Sequence, residues 1–104
     1  MNEANGLKLL LSYNIRLNDM QAYYEFVLGR YIPMMQSMGL EMNEAWHTEY
    51  GDYPIRLLGF VSRDQDTMMK VLDDESWEEL NDQLEQFVTD FSYKVIPYIV
   101  GFQY

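Results

Sequence analysis

Leu9-Leu10-Leu11-Ser12-Tyr13-Asn14-Ile15-Arg16-Leu17 is the stretch that decides the fold. Leu9, Leu11, Tyr13, Ile15 and Leu17 alternate with Leu10, Ser12, Asn14 and Arg16, and a period of two is the spacing of a strand with one strongly apolar face. Asn18 then offers an N-cap oxygen, with Asp19 in the first turn and Gln21 as a capping-box partner. Met20, Tyr23, Tyr24, Val27, Tyr31, Met34, Met35 and Met38 follow at spacings of three and four, the stripe of a helix over about 19–38. Gly39 ends it, and Pro33 kinks or segments its last turns.

A second alternating run covers Leu40 to Tyr50. Leu40, Met42, Glu44, Trp46, Thr48 and Tyr50 are expected on one face, and Glu41, Asn43, Ala45, His47 and Glu49 on the other. Gly51-Asp52-Tyr53-Pro54 is turn chemistry, so Ile55 to Ser62 reads as the returning strand of a hairpin. Asp64 opens a helix through about Leu72, and Ser76-Trp77-Glu78-Glu79 caps a second piece in which Trp77, Leu80, Leu84, Phe87, Val88 and Phe91 keep helical spacing. The last strand is expected from Tyr93 to about Phe102, with Pro97 marking a bulge or an edge.

The order β-α-β-β-α-β makes an α+β, ferredoxin-like fold: a four-stranded antiparallel sheet, strand order 4-1-3-2, with helices on one face. Residues 1–104 read as a single domain, since no linker, repeat or low-complexity tract interrupts them. The second sheet face must be covered or wet. Depending on register it offers Leu10, Leu58, Phe60, Ile96, Tyr98, Val100 and Phe102, and a chain this short has little else to cover it. A homodimer through opposed sheets is the expectation.

Composition narrows the function. The net charge is −10, and from Asp64 to Asp90 ten acids face Lys70 alone, which reads as a solvated acidic helix. Neutralising phosphates needs clustered Lys and Arg, so nucleic acid is not an expected partner. No run approaches the roughly 18 apolar residues of a membrane span. With no cysteine in the chain, thiolate chemistry and disulfides drop out together, and a cytoplasmic location is expected.

Two local motifs carry a resemblance. Trp46-His47-Thr48-Glu49-Tyr50-Gly51 closing the second strand, and Leu72-Asp73-Asp74-Glu75-Ser76-Trp77 leading into the last helix, resemble the NIPSNAP-like proteins of the dimeric α/β-barrel superfamily. The resemblance implies a dimeric α/β barrel. It does not select a reaction, because the superfamily spans haem-degrading monooxygenases, quinol-forming oxygenases, isomerases and proteins without known activity. Haem-binding relatives place the axial histidine on a helix, whereas His47 falls on a strand; no cofactor is expected.

His47 is the lone histidine and the natural acid-base candidate, with Glu49 two residues on to orient it. Glu44 and His47 should point to opposite faces, which spoils a compact metal site, and no metal is expected. Candidate ligand-binding residues are Tyr13, Asn14, Arg16, Tyr24, Trp46, His47, Tyr50 and Arg56, an aromatic set with a few polar handles suited to a small apolar or aromatic molecule. The same stripe of tyrosines and methionines can equally be core. Two readings of function follow: a non-catalytic small-molecule-binding or structural dimer, or a cofactor-independent monooxygenase or isomerase acting on an aromatic or polyketide-like substrate. No nucleophile-base-orienter set is visible, which favours the first.

Overall fold

In the computed structural model, residues 4–50 and 53–100 are described, with side chains over 6–48 and 55–98. The elements are β1 (Ala4–Ile15), a 3-10 turn (Leu17–Asp19), α1 (Met20–Phe26), a π segment (Val27–Tyr31), α2 (Ile32–Ser37), β2 (Glu41–Tyr50), β3 (Tyr53–Ser62), α3 (Gln65–Leu72), α4 (Glu75–Leu84) and β4 (Val88–Val100). The four strands form one antiparallel sheet in the order β2-β3-β1-β4. This is the ferredoxin-like α+β arrangement, with the Leu9–Ile15 run in a central strand.

The alternation in β1 does what its period predicts. Leu9, Leu11, Tyr13 and Ile15 are all buried against the helices, where they meet Tyr23, Val27, Tyr31 and Met35 from the first helical rod and Met68, Trp77, Leu80 and Leu84 from α3 and α4. That first rod is continuous but changes pitch. Pro33 has no N–H to give to the carbonyl four residues back, and the N–H of Ile32 instead bonds to the oxygen of Val27, five back. The capping box expected at Asn18 does not form: the chain enters through the 3-10 turn, and no side chain caps α1. Asp64 and Asp74 do cap, accepting from the N–H groups of Thr67 and Ser76, so α4 starts just before Ser76.

Two bulges re-aim side chains. In β2, Met42 pairs with Phe60 and Glu44 with Gly59, leaving Asn43 as the extra residue. Met42 and Ala45 therefore share the helix side with Phe60 and Leu58, while Glu44 and Trp46 turn to the open face; the single six-residue face expected for β2 is split. In β4 the pairing slips between Ser12/Ser92 and Asn14/Thr89. Asp90 takes a positive φ of 57° there, a conformation Asp tolerates. Its carboxylate accepts from the side-chain amide of Asn14 at 3.0 Å.

The helix expected to run to Phe91 stops at Leu84, and Val88 already pairs with Ile15 in β4. On the open face, Leu10, Ile96 and Tyr98 lie as expected, but Leu58 and Phe60 are fully buried in the core and Leu57 and Val61 take their place. The side chain of Val100, the residue Phe102 and the Gly51-Asp52 turn lie outside the described residues.

Gly39 shows how one position closes a layer. It ends α2 at φ 104°, and a Cβ there would come within 2.9 Å of the Thr67 methyl in α3. Gly39→Ala is expected to lower stability by about 1–2 kcal/mol, from backbone strain as well as the clash, as read by urea unfolding.

Candidate functional site

The side chains with the most chemistry on the helix side gather where β1 and β3 pass under α1. Tyr13 pairs with Arg56 across β1 and β3, and His47 pairs with Arg56 across β2 and β3, so the three share a sheet face. Above them α1 supplies Tyr23 and Tyr24 one after the other. The Tyr13 and Tyr23 hydroxyl oxygens are 2.6 Å apart and hydrogen-bonded, with both residues buried. The Arg56 guanidinium lies over the Tyr24 ring, 5.6 Å from its centroid. Arg56 Nε is buried and has no hydrogen-bond partner among the described residues.

These tyrosines belong to a run of rings along the core. Tyr24 meets Tyr23 edge-on at 5.0 Å, Tyr23 meets Tyr13 edge-on at 5.8 Å, and Tyr13 stacks on Phe91 at 6.2 Å. A second buried polar pair forms where the Tyr31 hydroxyl donates to the Asn81 side-chain oxygen at 2.7 Å.

Burial sets the chemistry of the hydroxyls. Removal from water pushes the Tyr13 hydroxyl far above the ordinary tyrosine range, and the neighbouring Tyr23 adds to this. Tyr23 is raised for the same first reason, offset in part by its bond to Tyr13 and by both the charge of Arg56 and a hydrogen bond from it. Tyr31 is raised by burial as well. All three stay protonated at neutral pH and can donate hydrogen bonds; none is a base.

The other candidates lie elsewhere. Asn14 is on the opposite sheet face, bonded to Asp90. Arg16 is exposed beyond the end of β1, where its N–H holds the Phe87 carbonyl at 2.9 Å. Trp46 is on the open face, 60% exposed, and its indole N–H donates to Glu44 at 2.8 Å. Glu44 also pairs with Lys8, and these two donors, Lys8 first, hold its carboxyl below the usual glutamate range. Gly59 leaves the room for that ion pair, since a Cβ there would press on Glu44 and Lys8. The Tyr50 and Glu49 side chains lie outside the described residues. Tyr23 is the residue that completes the cluster, and its sign in the sequence was the same helical spacing that placed it in the core.

Cavities open away from the cluster. One of about 350 Å³ lies between Glu41, Arg63 and Thr67, one of about 310 Å³ on the open face between Leu10, Leu57 and Lys94, and one of about 400 Å³ between Ile15, Leu17 and Thr89. No group of three or more His, Cys, Asp or Glu suited to a metal ion occurs among the described residues. No helix there is long and apolar enough to cross a membrane.

A NIPSNAP family protein of unknown function from Agrobacterium tumefaciens superposes with a TM-score of 0.65 at 13% identity, over 92% of this chain and 90% of that one. The chain has the NIPSNAP-type fold. A proposed antibiotic biosynthesis monooxygenase from Nitrosomonas europaea shares it, with a TM-score of 0.66 at 8% identity over 98% of this chain and 95% of that one. So does a de novo designed protein, with a TM-score of 0.58 at 8% identity over 89% and 96%. A chain assigned as a monooxygenase, one of unknown function and a designed one thus share this fold, and it transfers no reaction. The sequence matches no protein-family profile and no curated protein.

Proposed function

We propose that the chain works as a cytoplasmic homodimer, one domain per protomer, with two copies apposed through their open sheet faces, and that it is a binding or structural module and not a catalyst. The observation that carries this is the one-sided sheet. Among the described residues every helix packs on one face, while Leu10, Leu57, Val61, Ile96 and Tyr98 lie on the other with Trp46 largely exposed. Burying several hundred square ångströms of such surface is worth on the order of 10 kcal/mol before association costs. The buried, mutually bonded tyrosines support a core role over a catalytic one.

Sedimentation at micromolar concentration is expected to show a dimer, and Leu57→Glu a monomer with unchanged helix and strand content. A wild-type monomer at that concentration sinks the proposal. The enzymatic alternative, a cofactor-independent monooxygenase or isomerase with His47 as base, draws on one feature: His47 is exposed on the sheet face it shares with Arg56. Turnover of an aromatic substrate that His47→Gln abolishes, with the dimer intact, would decide for it.

A further inference from the structure

The open sheet face bears a projecting ring and a hollow in one cross-strand row. Trp46 pairs with Leu57 across β2 and β3, Leu57 with Ser12 across β3 and β1, and Ser12 with Ser92 across β1 and β4. Trp46 stands at one end of that row, 60% exposed. The hollow of about 310 Å³ lies over the other three strands, between Leu10, Ser12, Leu57, Ser92 and Lys94. Its leucines offer apolar contact, its serines leave space, and Lys94 supplies a cation for the face of an aromatic ring.

The Trp46 ring is held ready for burial. One carboxylate oxygen of Glu44 accepts from its indole N–H at 2.8 Å, and the other pairs with the Lys8 ammonium. Gly59, on the strand between Lys8 and Glu44, leaves the clearance for this, since a Cβ there would come within 2.8 Å of Glu44 Cγ. The only donor of the indole is therefore satisfied inside the protomer, and the ring can lose its water against a partner without stranding a polar group. Its orientation is also fixed before association, which lowers the ordering cost of binding.

Ring and hollow lie side by side in one sheet, so a Trp46 ring that stays on its own strand fills no hollow of its own chain. A two-fold axis between two apposed faces, running along the strands between β3 and β1, brings β2 of each copy over β1 and β4 of the other. Each copy then fills the hollow of its partner, the self-complementarity that an isologous interface requires. We infer that the occupant of the hollow is a second copy of this chain, and that reciprocal insertion of Trp46 sets the register of the dimer; the inference rests on the dimer reading above.

The test uses the whole chain, with sedimentation across a dilution series. Trp46→Ala removes the ring and Ser92→Phe fills the hollow, and each alone is expected to weaken the dimer. The first should do so by about a hundredfold or more, because the ring is lost twice per dimer. Mixed in equal amounts, the two variants should form a heterodimer far tighter than either forms alone, because one ring keeps an open hollow and the added phenyl lies opposite the vacated ring position. Tryptophan emission should move to the blue as the wild-type dimer forms, a change due to Trp46 because Trp77 is already buried in the protomer. Should Ser92→Phe not fold, Ser12→Phe fills the same hollow from β1. Unchanged affinity in Trp46→Ala, weakened variants that do not rescue each other, or a wild-type dimer without the emission change overturns the inference and leaves the dimer reading standing. A wild-type monomer at micromolar concentration overturns both.

Discussion

Phe60→Ala is expected to lower stability by about 3–5 kcal/mol, the usual cost of emptying a large buried aromatic site, while Leu57→Ala on the same strand barely changes the folding of the protomer. Phe60 is fully buried, with its ring 6.3 Å from that of Tyr31, and the residue paired with it in β1 is Leu9, also fully buried. Little around it is free to collapse into the void. Leu57 points the other way, toward the open face, opposite Ser12 and Trp46. Its loss should show as weaker association and so as a stability deficit that grows with protein concentration. Urea unfolding at two protein concentrations separates the two. A Phe60→Ala cost below about 1 kcal/mol would mean that the strand register is wrong by one residue.

That pair of side chains marks where the sequence was ambiguous. Strand β1 was legible because its two faces differ: four apolar residues alternate with mostly polar ones. Ile55 to Val61 is apolar on both faces, so periodicity identifies a strand but cannot say whether Phe60 or Leu57 is inside. Only pairing with β1 settles it, through Leu9 opposite Phe60 and Ser12 opposite Leu57.

The bulges account for the other differences. Val88 and Phe91 are three apart, the spacing of one helix face, and the sequence therefore reads as helix through Phe91. They are three apart because the bulge near Asp90 inserts a residue between two inward-facing strand positions. The same insertion at Asn43 puts Met42 and Ala45 on one side and Glu44 with Trp46 on the other. A helical stripe and a bulged strand are degenerate in apolar spacing, and in β4 the separating signal was the Glu85-to-Phe87 turn, where N–H groups return to the Asn81, Gln83 and Leu84 carbonyls. For the candidate site, the sequence supplied Tyr13, Tyr24, His47 and Arg56. Alternation already set Asn14 opposite Tyr13 and Trp46 opposite His47, and the structure keeps both on the other sheet face. Tyr23 stood in the same helical stripe, where a ligand-facing tyrosine and a core tyrosine share one spacing.

Alkaline unfolding should be steep, and it should start from the buried tyrosines. In the unfolded chain Tyr13, Tyr23 and Tyr31 ionise near 10.0; in the folded chain burial raises all three. Below pH 10 both states hold these protons, and the stability they support is fully present. Above pH 10 the unfolded state releases protons that the folded state keeps, so stability falls with rising pH until the folded values are passed. Each such group removes about 1.4 kcal/mol per pH unit, and three together about 4 kcal/mol per unit. Set against a typical domain stability of about 5–15 kcal/mol, a slope of that size is enough to unfold the chain in strong base. Absorbance at the phenolate band, followed beside circular dichroism, makes the check. Of the nine tyrosines, at least three should ionise only as the helical signal is lost. If all nine ionise before it changes, the buried pairs are open to solvent and the core described here is not the one in solution. Tyr31→Phe supplies the control. It leaves the buried Asn81 oxygen without its 2.7 Å donor, lowering stability at pH 7 by about 1–3 kcal/mol, but it removes one titrating group. The variant should therefore start lower and fall more slowly, by about 3 kcal/mol per unit above pH 10, and the two stability curves should converge in strong base.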